Sequence, residues 1–276
     1  MPYISSGTGK DSVQLYYEDW GSGKPIVFIH GWPSSHEMWE YQLTYFGAKG
    51  FRCIAYDRRG FGKSSKPWES YDYNTLASDL KLLMDQLDLQ DVTLVGFSMG
   101  GGEVARYCSL YNQARVSKVV LVGTVLPMLQ KSPSNPEGLD QEIFDGIIMK
   151  IIDDRPAFLA DFGKQFFGET FIKHPVSQAY LDWAFQLTLQ GSPKATIDCV
   201  TSWSSTDFRD DIRKITVPTL IIHGTNDKTV PIEISSDRTA AMLPAAKYLK
   251  YDGAPHGLFY TDRDQLNSDI EEFLRG

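Results

Sequence analysis

The stretch Val92-Thr93-Leu94-Val95-Gly96-Phe97-Ser98-Met99-Gly100-Gly101-Gly102-Glu103-Val104-Ala105-Arg106 passes from a strand pattern, through a glycine-flanked serine, into a helix pattern. Val92–Gly96 is apolar and rich in β-branched residues, which suits a buried strand. A helix pattern over Met99–Tyr111 begins directly after Ser98. A chain that turns this sharply holds its central residue in a strained conformation, and flanking glycines leave room for neighbouring elements to close around it. Gly96-Phe97-Ser98-Met99-Gly100 therefore has both the spacing and the setting of a nucleophile elbow, in which a serine oxygen stands exposed above the end of a sheet. Ser98 is the candidate nucleophile.

Outward from the elbow the same alternation repeats. Strand patterns lie at Val13–Asp19, Pro25–His30, Phe51–Tyr56 and Lys118–Val122, with helix patterns at His36–Gly47 and Asn74–Leu87 between them. Runs such as Ile26-Val27-Phe28-Ile29 are continuously apolar, as strands of a parallel sheet covered on both faces require. After about Leu126 the texture changes. Pro127, Pro133 and Pro136 mark a loop, and a helical, aromatic-rich stretch follows to about Trp203 that includes Phe144, Phe158, Phe162, Phe166, Phe167, Phe171, Trp183 and Phe185. Strand patterns resume at Val217–His223 and Lys247–Tyr251, with helices expected at Ile232–Met242 and Asp262–Leu274. The expected architecture is one α/β domain with a mostly parallel, doubly wound sheet. Its core is 1–125 and 204–276, and a helical cap insertion of about 126–203 sits over the carboxyl edge of the sheet. The cap aromatics predict an apolar lid rather than particular substrate contacts.

Composition narrows the function class. Of 276 residues, 42% are hydrophobic, enough for a large core, and the formal net charge of −8 makes a surface that repels nucleic acid and anionic membranes. Met1–Lys10 lacks the basic start and apolar core of a signal peptide, and no apolar run approaches the roughly 20 residues of a membrane span. Cys53, Cys108 and Cys199 are an odd, widely spaced set with no C-x-x-C, which argues against a disulfide framework or thiolate metal site. Cys53 and Cys108 read as small core residues, and a reducing cytoplasm fits the set.

A serine nucleophile needs a base, and the base needs an orienting acid. Of five histidines, His30 closes a strand, His36 begins a helix, His174 lies in the insertion and His223 ends another strand. His256 stands apart in Gly253-Ala254-Pro255-His256-Gly257, between the last strand and the last helix, where an imidazole can reach over the sheet edge. Asp227, in Gly224-Thr225-Asn226-Asp227-Lys228, follows the strand ending at His223. The order Ser98, Asp227, His256 is that of the α/β-hydrolase fold. Asp252 is the nearest rival acid and is better placed to stabilise its own turn; Asp207 is a weaker one. Two N–H donors are needed for the oxyanion: Met99, after the nucleophile, and Trp32 in His30-Gly31-Trp32-Pro33, because Pro33 has no N–H to give. Asp57-Arg58-Arg59-Gly60-Phe61-Gly62-Lys63-Ser64 ends like a phosphate loop, but Asp57 stands where the first glycine belongs. No dinucleotide fingerprint and no zincin histidine pair occurs, so no cofactor and no metal are expected.

Several segments together resemble the cofactor-free bacterial chloroperoxidase and aryl-esterase (perhydrolase) family of the α/β-hydrolase superfamily. They are His30-Gly31-Trp32-Pro33, Tyr56-Asp57-Arg58-Arg59-Gly60-Phe61-Gly62, Gly96 through Val104, Thr206-Asp207-Phe208-Arg209, Pro255-His256-Gly257-Leu258 and Asp264-Gln265-Leu266-Asn267. The resemblance spans nearly the whole chain. It implies hydrolysis of small aryl and alkyl esters through an acyl-serine. It also implies formation of a peroxyacid from a carboxylic acid and hydrogen peroxide, and the peroxyacid then oxidises halide without haem or vanadium. In that family a proline after the oxyanion tryptophan accompanies stronger perhydrolysis, so Pro33 is expected to tune the acceptor; a restrained Trp32 carbonyl could take a hydrogen bond from peroxide. Members are often homo-oligomers, which the sequence itself does not show. Ser98 in the elbow argues against epoxide hydrolases and haloalkane dehalogenases, which use aspartate there. An amidase or lactamase on the same residues, and a low-turnover ligand sensor, are the alternatives.

Overall fold

The apolar runs assemble into one mixed sheet whose parallel strands are buried on both faces. The structure is a computed structural model that describes residues 2–6 and 12–276. Met1 and residues 7–11, part of the segment read above for a signal peptide, lie outside the described residues. The strands are β1 (Tyr3–Ser5), β2 (Gln14–Gly21), β3 (Lys24–Ile29), β4 (Phe51–Tyr56), β5 (Val92–Phe97), β6 (Val116–Val122), β7 (Thr219–Gly224) and β8 (Lys247–Tyr251). Their order is β1-β2-β4-β3-β5-β6-β7-β8, with β1 and β2 antiparallel and the rest parallel. Alternate residues of β3 serve opposite sides. Val27 and Ile29 enter one buried cluster and Ile26 and Phe28 the other. That two-sided burial explains why no polar alternation is visible in the sequence of β3.

Helices cover both faces: α1 (Glu40–Ala48), α2 (Tyr73–Gln86), α3 (Met99–Leu110), and, after the cap, α7 (Arg209–Arg213), α8 (Ser236–Met242), α9 (Leu258–Thr261) and α10 (Arg263–Arg275). Between β6 and β7 run α4 (Gln141–Phe166), α5 (Gln178–Leu189) and α6 (Pro193–Ser205). Helix α4 is broken at Asp154, whose backbone is non-helical; its carboxylate accepts from Ala157 N–H, and Pro156 sits in the first turn of the second half. Ser177 and Ser192 cap α5 and α6 in the same manner.

Three expectations change at the level of elements, and one at the level of a residue. The helix expected over His36–Gly47 opens as a 3-10 turn, His36–Trp39, before α1. Ile232–Met242 divides at Ser235 into a 3-10 turn and α8, with the Ser235 hydroxyl donating to Pro231 O at 2.7 Å. Asp262–Leu274 is likewise preceded by the separate turn α9, broken at Asp262. Among the cap aromatics Phe171 is fully exposed, outside both core and lid. The three cysteines are free and buried, and burial pushes each thiol up to about 12. The segment that resembled a phosphate loop holds its own anion. Asp57 is buried and accepts from His36 N–H and Lys63 N–H, each at 2.8 Å, with Gly62 packed directly on its carboxylate.

Candidate active site

The functional side chains lie on loops that leave the carboxyl ends of β3, β5, β7 and β8. Ser98, between β5 and α3, has φ 53° and ψ −120°, a conformation that L-residues avoid and that a turn this sharp requires. The strain is held by close approach on both sides: a Cβ on Gly96 would lie 2.7 Å from Gly100 O, and one on Gly100 would lie 2.5 Å from Ile29 O. The backbone also fixes it, Ser98 N–H donating to Val122 O at 2.9 Å.

The structure brings Ser98, His256 and Asp227 together. Ser98 Oγ lies 3.0 Å from His256 Nε2, and His256 Nδ1 lies 2.5 Å from Asp227 Oδ2. The ring of His256 is buried between Phe97 and Phe166, both with centroids at 4.8 Å. Asp227 Oδ1 accepts from Thr229 N–H at 2.9 Å and Val230 N–H at 2.8 Å, which aims Oδ2 at the imidazole. Burial works against ionisation of Asp227. The imidazoles of His256 and His223 outweigh it and hold the carboxyl well below the usual carboxylate range. The rival acids are engaged elsewhere: Asp252 accepts from Thr225 Oγ1 at 3.3 Å, and Asp207 binds Arg209.

Trp32 and Met99 flank the same space. Met99 N–H is at the first position of α3, where the helix offers no acceptor, and Trp32 N–H lies outside any ladder; among the described residues neither has a partner. Trp32 is anchored by its indole, which donates to Thr196 O of α6 at 2.9 Å, and its bond to Pro33 is cis. A cavity of about 550 Å³ reaches Ser98, Met99 and Trp32. Its apolar wall includes Val125, Ile147, Phe158, Phe162 and Trp203, while Glu142, Lys150 and Lys228 stand around it with charges of both signs. Phe162 and Trp32 also border a separate cavity of about 40 Å³ beneath α5 that does not touch Ser98.

Sequence reasoning missed the buried framework under these loops. Arg58 and Glu103, both buried, form an ion pair; Glu103 also accepts from Tyr56 OH at 2.6 Å, and Arg58 Nη2 donates to His30 O at 2.6 Å. The pair thus ties the end of β4 and the loop carrying Trp32 to the helix behind Ser98. His30 Nε2 accepts from Arg58 N–H at 3.0 Å, and burial together with the Arg58 charge lowers its pKa to about 3. His223, assigned above only to a strand end, lies with its Nε2 3.0 Å from Asp227 Oδ2. Its spacing of four residues from Asp227 was the available signal.

A strained serine between strand and helix, an imidazole within reach of it, and a carboxylate behind the imidazole define a protein of the α/β-hydrolase fold. The family model of that fold matches residues 24–262, so the chain belongs to this family. Within it the chain belongs to the cofactor-free haloperoxidase and esterase group. It is 38% identical to the non-heme chloroperoxidase CPO-A1 of Kitasatospora aureofaciens, over 97% of this chain and 98% of that protein. It is also 38% identical to the bifunctional esterase/perhydrolase DCH of Acinetobacter calcoaceticus, over the full length of both. The crystal structure of a bromoperoxidase from Bacillus anthracis superposes with a TM-score of 0.95 at 47% identity, covering 99% of this chain and 100% of that one. No helix among the described residues is long and apolar enough to cross a membrane.

Proposed function

We propose that the protein is a serine hydrolase of small carboxylic esters that also forms peroxyacids, with Ser98 as nucleophile, His256 as base and Asp227 as the orienting acid. The observation that carries this reading is the continuous contact from Ser98 Oγ through His256 to Asp227 Oδ2. His256 Nε2 takes the Ser98 proton as the oxygen attacks the ester carbonyl. Asp227, kept ionised, fixes the Nδ1–H tautomer and balances the imidazolium. The developing oxyanion meets the N–H groups of Trp32 and Met99, each such donor being worth about 3–4 kcal/mol of barrier. His256 returns its proton to the leaving alcohol, and an acyl-Ser98 remains.

The acceptor then decides the product. Water activated by His256 yields the carboxylic acid, whereas hydrogen peroxide attacking the same carbonyl yields the peroxyacid and restores Ser98. The cavity falls within the roughly 300–1,000 Å³ common for small-molecule sites, and its apolar wall suits alkyl or aryl acyl groups. The residues described supply the whole proton path, so this cycle requires neither cofactor nor metal. Three free, buried cysteines favour a cytoplasmic setting, and the esterase/perhydrolase relative favours a small ester or carboxylic acid, with water or hydrogen peroxide, as partners.

Ser98→Ala tests the reading. Turnover of p-nitrophenyl acetate should fall by about 10⁴–10⁶-fold with the fold intact. Activity retained within tenfold of the wild-type value would refute Ser98 as nucleophile. Wild-type protein that captures one ligand per chain without turnover would instead show a sensor.

A further inference from the structure

The carboxylate of Asp227 faces two histidines, and the proposed cycle uses one of them. His223, at the end of β7, is completely buried. Its Nε2 hydrogen-bonds Val230 O at 2.9 Å and also lies 3.0 Å from Asp227 Oδ2, the oxygen that receives His256 Nδ1, so its one hydrogen stands between the two. Both neighbours of His223 Nε2 are acceptors, so that nitrogen carries hydrogen. Nδ1 is left to accept from Ser236 Oγ at 2.7 Å. A neutral ring satisfies every one of these contacts. Asp227 Oδ1 is occupied by two backbone N–H groups, so Oδ2 is the one oxygen through which the carboxylate reacts to changes in His256.

We propose that His223 is a positioning residue of the site: its Nε2–H, shared with Val230 O, also faces the Asp227 Oδ2 that His256 uses and thereby limits how strongly Asp227 stabilises the imidazolium formed when His256 Nε2 takes the Ser98 proton. The inference rests on the assignment of His256 and Asp227 given above. Its physical basis is competition. A donor on Oδ2 stabilises the carboxylate and draws charge from the contact with His256 Nδ1. Without that donor the full charge bears on His256, and the imidazolium becomes more stable. Two carboxylates among the described residues bear on His223. Asp227 is on its own loop. Asp237 follows Ser236 on α8 and is occupied by Lys250 at 2.6 Å and Tyr248 OH at 2.7 Å from β8. None of these replaces the donor.

His223→Phe keeps an aromatic ring in the site and removes the donor. His223→Gln places an amide N–H near the position of Nε2. For the hydrolysis of p-nitrophenyl acetate, the midpoint of the acid limb of kcat/KM should move up by about half to one pH unit in His223→Phe, and return to within about 0.2 unit of wild type in His223→Gln. The alkaline plateau should change by less than about threefold, since the groups touching substrate are unaltered. An unshifted acid limb in a folded His223→Phe protein, or an equal fall at every pH, would overturn the proposal and leave His223 a packing residue. A second measurement needs neither variant nor turnover. In ¹⁵N NMR of the wild-type protein His223 should be the Nε2–H tautomer throughout the pH range of the acid limb, and an Nδ1–H tautomer would overturn the proposal. Absence of ester turnover with that tautomer present would count against the functional reading instead.

Discussion

Replacing Glu103 by glutamine tests the framework that holds the oxyanion loop against the nucleophile helix. The variant keeps the shape of the side chain and removes its charge. Arg58 then remains buried, 1% exposed, beside a neutral amide. Uncompensated buried charges of this kind cost about 3–5 kcal/mol. Tyr56 OH retains an amide oxygen to donate to, so no further large cost is expected from that bond. Set against the roughly 5–15 kcal/mol of a typical domain, the loss is a large share of total stability. At about 2–4 °C per kcal/mol it should lower the melting temperature by about 10 °C, read by calorimetry and urea unfolding. Activity should fall as well, because Arg58 holds His30 O and so the start of the Trp32 loop. The double variant Arg58→Met, Glu103→Leu separates the two effects. Its stability should return to within about 2 kcal/mol of wild type, while kcat stays at least about tenfold low because the loop has lost its anchor. A Glu103→Gln protein that loses less than about 1 kcal/mol would refute the claim that this pair carries the framework.

Two further predictions use different parts of the site. His30 has a folded pKa near 3 against about 6.5 unfolded, so below pH 6.5 the unfolded chain binds the extra proton. Stability should therefore drop by about 2 kcal/mol between pH 7 and pH 5 on its account. His30→Asn should flatten that part of the urea-unfolding profile, and an unchanged slope would contradict it. Pro33→Leu should lower the ratio of perhydrolysis to hydrolysis, measured as monochlorodimedone halogenation with acetate, peroxide and bromide against p-nitrophenyl acetate hydrolysis. An unchanged ratio would remove Pro33 from acceptor choice.

How much of this was legible in the sequence follows from where each signal resides. Ser98 and Asp227 could be read because each follows a strongly apolar strand, and His256 because it follows the shorter, half-exposed strand Lys247–Tyr251; all three stand in glycine-bearing loops, so local pattern puts them at one sheet edge. Strand β1 could not, since three residues on the sheet's antiparallel edge carry no periodicity. The 3-10 turns before α1 and α8 preserve a helix-like spacing of apolar residues, and the break at Ser235 depends on a side-chain bond invisible in the pattern. Arg58 and Glu103 stand 45 residues apart, and nothing local announces that two opposite charges will be buried together. The cap stripe also left its facing open. Phe158 and Phe162 line the cavity, Phe144 packs on Trp203, Phe166 lies against His256, and Phe171 meets solvent. Phe158, Phe162 and Phe166 follow the break at Asp154, Phe144 precedes it and Phe171 lies past the end of α4, so a uniform aromatic composition does not fix which face each takes.

The central claim is that an acyl group is carried by Ser98. Rapid quenching of the wild-type protein with p-nitrophenyl acetate, followed by mass-spectrometric mapping, reads it directly. One acetyl group should appear on the peptide containing Ser98, form with the p-nitrophenol burst, and be absent from Ser98→Ala. Acetylation at another residue, or full turnover with no adduct on Ser98 and none lost in the variant, would contradict it.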